Sequence, residues 1–136
     1  MSKKMFELII TLMKKCQLTE GRIRKDFGLS TAEYNGLLAI NENEKMLCRT
    51  FSSKMGLSTS RGSRVIDRLS RKGYLKGETV PGDRRTLQIS MTRKGLALKK
   101  QIEKKMDECE SKILSTLSAK QRADVRGALE MLAEIM

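Results

Sequence analysis

The chain has 136 residues, 39% hydrophobic and 32% charged, which suits one compact domain with its own core and argues against disorder or a disulfide-stapled miniprotein. It carries 28 Lys and Arg against 16 Asp and Glu, a net charge of +12, so a polyanionic partner is expected. With no His and three scattered Cys, neither a Cys/His zinc centre nor a cofactor is expected, and no nucleophile–base pair or Gly-rich phosphate loop points to an enzyme.

Lys3 to about Lys25 reads as a first helix, because Met5, Leu8, Ile9, Leu12, Met13 and Cys16 recur at three-and-four spacing. Ser30-Thr31-Ala32-Glu33 is a capping-box pattern opening a second helix. Residues 41–45 form a polar turn, and Met46 and Leu47 a short extended piece. A third helix is expected from about Arg49 to Met55, stopped by Gly56, and Ser58 then caps a fourth reaching Lys72 and ended by Gly73. Two helices joined by a tight Gly-containing turn outline a helix-turn-helix.

On a wheel of about 100° per residue, the fourth helix gathers Gly62, Val65, Ile66 and Leu69 on one side and Ser60, Ser63, Arg64, Asp67 and Arg71 on the other. Such a helix can enter a major groove with its early turns at the base edges. Ser58, Thr59, Ser60, Ser63 and Arg64 are the candidate base-reading residues, with Arg64 able to fork onto guanine. Arg61 and Arg68, on the flank, suit phosphates.

Residues 75–80 read as extended, Pro81-Gly82-Asp83-Arg84 as a turn, and Leu87, Ile89 and Met91 as the buried face of a returning strand. This hairpin after a helix-turn-helix is a wing. Its tip carries Asp83, Arg84 and Arg85, and a narrow minor groove attracts such Arg side chains. Asp83 is expected either to pair with a neighbouring Arg or to bond turn amides. Thr92 opens a long helix to about Leu114, striped by Leu98, Ile102, Met106, Cys109 and Ile113; a second capping box, Ser118 to Gln121, opens the last, with Val125, Leu129, Leu132 and Met136 on one side. Residues 49–94 hold twelve cations and three anions, so the charge excess coincides with the helix-turn-helix and wing. A bland solvated basic face would have no reason to do so.

The pattern Asp83-Arg84-Arg85, the strand Leu87 to Met91, and Thr92-Arg93-Lys94-Gly95, preceded by Val65 to Leu75, resembles the MarR family (multiple antibiotic resistance regulators) over residues 30–95. Met91 stands where the family usually has Leu. The resemblance implies a mainly α fold with a small β-hairpin: a single domain over 1–136, with a winged helix-turn-helix lobe at 30–95 flanked by dimerisation helices at 1–28 and 96–136. It implies an obligate homodimer on double-stranded DNA, one recognition helix per half-site, Arg85 in the minor groove and Asp83 holding it. It also implies a repressor relieved by a small-molecule effector, whose contact residues no motif here identifies. The dimer has separate support in the apolar stripes of the first and last two helices, which a small winged lobe cannot cover.

Two alternative readings stand beside this one. Cys16 lies beside Lys14 and Lys15, Cys48 at a helix start that would favour thiolate, and Cys109 in an apolar stripe, so a cysteine redox sensor is one alternative. A winged protein-interaction module is the other, and Ser60, Ser63, Arg64 and Arg85 argue against it. No signal-peptide pattern, no CxxC pair and no apolar run approaching about 18–20 residues is present, and a cytoplasmic protein with reduced thiols is expected.

Overall fold

The computed structural model describes residues 2–136. In chain order it forms α1 (Met5–Asp26), α2 (Thr31–Ala39), β1 (Met46–Leu47), α3 (Cys48–Lys54), α4 (Thr59–Arg71), β2 (Leu75–Val80), β3 (Asp83–Met91), α5 (Arg93–Leu114) and α6 (Ala119–Ile135). The helices begin and end within a residue or two of where capping residues and glycines place them. The fold class is mainly α with a small antiparallel sheet of order β1-β3-β2.

The chain divides into two compact units, one of residues up to Lys100 and one of Gln101–Met136. The first unit holds a continuous apolar cluster of Ile40, Met46, Phe51, Val65, Ile66, Leu69, Leu75 and Ile89, all buried. The inward face of α4 read from the sequence is the buried one: Gly62, Val65, Ile66 and Leu69. Gly62 lies so close to α3 that a Cβ there would stand 1.8 Å from Ser52 Oγ and 2.6 Å from Ser52 Cβ. Ser52 is itself buried and donates its hydroxyl to the Cys48 carbonyl at 2.9 Å. The α3–α4 turn is made by Gly56, whose φ of +67° lies in the left-handed region that glycine enters without steric cost.

Both ends of α2 are tied. Ser30 Oγ accepts the Glu33 amide and Glu33 Oε1 accepts the Ser30 amide, each at 3.1 Å. At the other end Lys54 donates to the Ala39 carbonyl and the buried Lys99 to the Ile40 carbonyl, each at 2.6 Å. These are cations at the negative end of the helix dipole.

The wing is tighter than the sequence suggested. Val80 pairs directly with Asp83, so the turn is Pro81-Gly82 alone, and Asp83 and Arg84 already belong to β3. The Asp83 carboxylate binds amide and hydroxyl groups of its own strand (below), which draws that residue out of the turn. Leu87 was expected on a buried face with Ile89 and Met91. Ile89 is buried and Met91 half-buried, but Leu87 remains 39% exposed. It covers Gly77 on the neighbouring strand, where a Cβ would meet it at 3.0 Å. A two-stranded ribbon beyond the core offers no other layer to bury it.

The base of the wing is a knot of backbone contacts. Thr92 Oγ1 donates to the Gly73 carbonyl at 2.5 Å and accepts the Gly95 amide at 3.0 Å, and the Thr92 amide donates to the Tyr74 carbonyl at 3.1 Å. A Cβ at Gly95 would stand 2.1 Å from that Tyr74 carbonyl oxygen. The Thr-x-x-Gly pattern thus has a physical reason: Thr caps α5 and Gly admits the Tyr74 carbonyl at the entry to β2. Lys94 closes the knot, donating to the Lys72 carbonyl at 2.9 Å and lying 5.3 Å from the Tyr74 ring centre.

In the second unit, Ser118 and Gln121 form the expected capping box, at 2.9 and 3.2 Å. No residue of α6 is buried. Along α5, Leu98 and Ile102 are buried, Cys109 is half-buried, and Met106 and Ile113 are exposed. Among the described residues, no helix is long and apolar enough to cross a membrane.

Candidate nucleic-acid interface

Helix α4 presents one polar face. Ser58 is its N-cap, its hydroxyl accepting the Arg61 amide at 3.3 Å; that leaves the O–H free to donate outward. Thr59, Ser60, Ser63 and Arg64 follow, all exposed. Arg61 and Arg68 flank them, also exposed. Among the described residues, the guanidinium groups of Arg61, Arg64 and Arg68 have neither ion pair nor hydrogen bond. Arg71, on the same face, is engaged: it pairs with Asp67 at 3.1 Å, one helical turn back. The unengaged cations therefore run from Arg61 in the first turn to Arg68 in the last, and the positive end of the helix dipole adds to them at the first turn.

At the wing tip Asp83, Arg84 and Arg85 are all exposed. The Asp83 carboxylate accepts the Thr86 hydroxyl and, at 3.0 Å, the Arg85 amide. These two bonds, the hydroxyl first, hold its carboxyl below the usual carboxylate range. Of the two roles weighed for Asp83, the geometry shows the amide bond: it holds the backbone of Arg85 and leaves both wing guanidinium groups unengaged among the described residues. The negative charge is spent on shaping the strand that carries Arg85.

A shallow hollow of about 210 Å³ joins the helix to the wing, lined by Leu47, Cys48 and Arg49 from the start of α3, Thr59 from α4, and Arg85, Thr86 and Leu87 from β3. Arg49 was counted among the cations but assigned no role by sequence reasoning. Ten residues separate it from Thr59 and thirty-six from Arg85, so no periodicity joins them; the strand pairing of Leu47 with Gln88 does. The hollow also contains Cys48. Its position at a helix start was expected to favour thiolate, but burial pushes the thiol up. α3 has only seven residues, and the desolvation cost outweighs what so short a helix returns. Cys16 is exposed and Cys109 half-buried. No cluster of potential metal ligands occurs among the described residues.

Behind the interface, Lys72 at the C-cap of α4 pairs with Glu33 at 2.5 Å and donates to the Gly28 carbonyl at 3.1 Å. Burial pushes the Glu33 carboxyl up, but its bonds from Lys72 and Ser30 outweigh burial and hold it below its ordinary value. A carboxyl depressed in the folded state contributes stability that is complete above about pH 4.3, the unfolded value, and lost as pH falls through the folded one. Glu33→Gln is therefore expected to lose less stability than the wild type between pH 7 and about 3, read from urea midpoints at fixed protein concentration. Equal losses would remove Glu33 from the account of acid stability.

The MarR family's sequence profile matches residues 27–86. The transcriptional regulator SarZ of Staphylococcus saprophyticus is 33% identical over 75 residues, 55% of this chain and 51% of SarZ, so the chain's match spans about half the length of that relative. Among solved structures, a MepR variant from Staphylococcus aureus superposes with a TM-score of 0.87 at 16% identity, covering 98% of this chain and all of that one. A second MepR variant, bound to an oligodeoxyribonucleotide, superposes with a TM-score of 0.76 at 15% identity, covering 99% and 100%. Over residues 27–86 the chain is thus similar to the MarR family in sequence, and it shares the winged-helix fold of these solved structures.

Proposed function

We propose that this chain is a non-enzymatic, sequence-specific regulator of transcription that binds double-stranded DNA as a homodimer in the cytoplasm. The observation that carries this reading is the α4 face: short polar side chains at Thr59, Ser60 and Ser63 surround Arg64, flanked by the unengaged Arg61 and Arg68. Arg64 is assigned to base edges, Arg61, Arg68 and Arg49 to phosphates, and Arg84 and Arg85 to the minor groove. The named function of SarZ and the DNA-bound MepR variant support the assignment.

The dimer reading rests on unpartnered apolar side chains. Met5, Phe6, Leu8, Leu12 and Leu18 of α1 are each at least 50% exposed, as are Leu129, Met131 and Ile135 of α6. A self-complementary two-fold interface would cover them. It would also set two recognition helices about 34 Å apart, one DNA turn, on a pseudopalindromic operator. Light scattering should then give twice the 15.4 kDa chain mass. The family resemblance adds repression relieved by a small-molecule effector.

The test is selection from a random duplex library by the purified protein, followed by gel retardation of the selected duplex against random competitor at about 150 mM salt. Retention that resists competitor supports the reading. Failure to enrich any sequence, or retention lost equally to random DNA, would turn the winged unit toward a protein partner.

A further inference from the structure

The inward face of α4 fixes its rotation about its own axis, because Val65, Ile66 and Leu69 are buried and Gly62 abuts Ser52. Apolar packing is non-directional, and by itself it leaves the tilt of a thirteen-residue helix weakly defined. The N-terminal end has a polar pin, the Leu57 amide on the Ser52 carbonyl at 2.9 Å. The C-terminal end has another, and it crosses to a different element. Lys72 reaches from the C-cap of α4 to the first turn of α2, where it meets Glu33 Oε2 at 2.5 Å, and to the Gly28 carbonyl before that helix. The Glu33 side chain is only 7% exposed, and its other oxygen is fixed by the Ser30 amide.

Burying a carboxylate costs more than filling the same space with an apolar side chain; here Glu33 is buried while the Lys72 side chain stays 40% exposed, and such a pair can serve to fix one arrangement rather than to add stability. The pair also withdraws a lysine from the basic face. We propose that Glu33 and Lys72 are positioning residues for DNA recognition: their ion pair sets the tilt of α4, and with it the alignment of Ser60, Ser63 and Arg64 on base edges. Neither residue reads a base. This rests on the DNA-binding reading above.

A positioning role predicts opposite movements that a loss of fold cannot produce. Glu33→Gln keeps an oxygen for the Ser30 cap but releases Lys72. Affinity for the duplex selected by the wild type should fall about tenfold, within the range of couplings between contacting groups. Affinity for a random duplex of the same length should hold or rise, since an ammonium is freed to meet phosphate. Lys72→Met should lower the ratio of selected to random affinity by a similar factor, and the double variant should lower it no further. Lys72→Arg, which keeps the pair, should keep the ratio. Affinities are compared well below each variant's unfolding midpoint. An unchanged ratio, an equal fall on both duplexes, or additive losses in the double variant would overturn the inference while leaving the DNA-binding reading intact. A wild type that selects no sequence would overturn both.

Discussion

Gly62→Ala is expected to destabilise the winged unit by about 1–3 kcal/mol, the cost of overpacking a well-filled site. In an exposed helix interior the same change stabilises by about 1 kcal/mol, so the expected sign is the reverse of helix propensity. The cause is Ser52: its Oγ and Cβ, and behind them its Cα at 3.1 Å, occupy the space a methyl group needs. The side chain cannot turn away, because the obstruction reaches its own backbone. α3 and α4 must separate, which displaces α4, so under the proposed function DNA affinity should fall with stability. Ser52→Gly in the same chain opens the space and should recover part of both losses. Urea unfolding at fixed protein concentration reads the first and gel retardation the second. A Gly62→Ala protein more stable than the wild type would show that α3 and α4 are not in such close contact.

The second large effect separates binding from folding. Arg85→Ala should weaken binding to the selected duplex by about 1.5–3 kcal/mol, the range for hydrogen bonds to charged groups, with no change in unfolding midpoint. Its guanidinium is exposed and unengaged among the described residues, while its backbone stays held by Asp83. Arg64→Ala should differ in kind, losing about 1–3 kcal/mol of discrimination between selected and random DNA. Equal losses on both duplexes would reassign Arg64 to phosphate.

What the sequence made legible is whatever depends on neighbours along the chain. The wheel of α4 identified Gly62, Val65, Ile66 and Leu69 as its buried face. Ser30 with Glu33 and Ser118 with Gln121 announced two helix starts, since a capping box spans only four residues. The illegible features join residues far apart. Glu33 lies thirty-nine positions before Lys72; the one reads only as a capping-box residue and the other as a surface charge until α2 and the end of α4 are brought together. Arg49 joins the wing hollow only through the pairing of β1 with β3. The place of Cys48 at a helix start is visible along the chain, whereas the burial that pushes its thiol up is not. The turn at Pro81-Gly82 was set two strand residues too wide, because Asp83 and Arg84 already belong to β3 and the Asp83 bonds to Arg85 and Thr86 compete with turn geometry. The exposure of Leu87 follows from the absence of a second layer, which alternation along one strand cannot reveal.

The most direct test of the central claim is the salt dependence of affinity for the selected duplex. With Arg49, Arg61 and Arg68 on phosphates in each protomer, a dimer makes about six such contacts, and affinity should fall by about 10³-fold between 50 and 200 mM salt. A log–log slope near zero, or retention that salt leaves unchanged, would contradict a DNA interface built from these arginines.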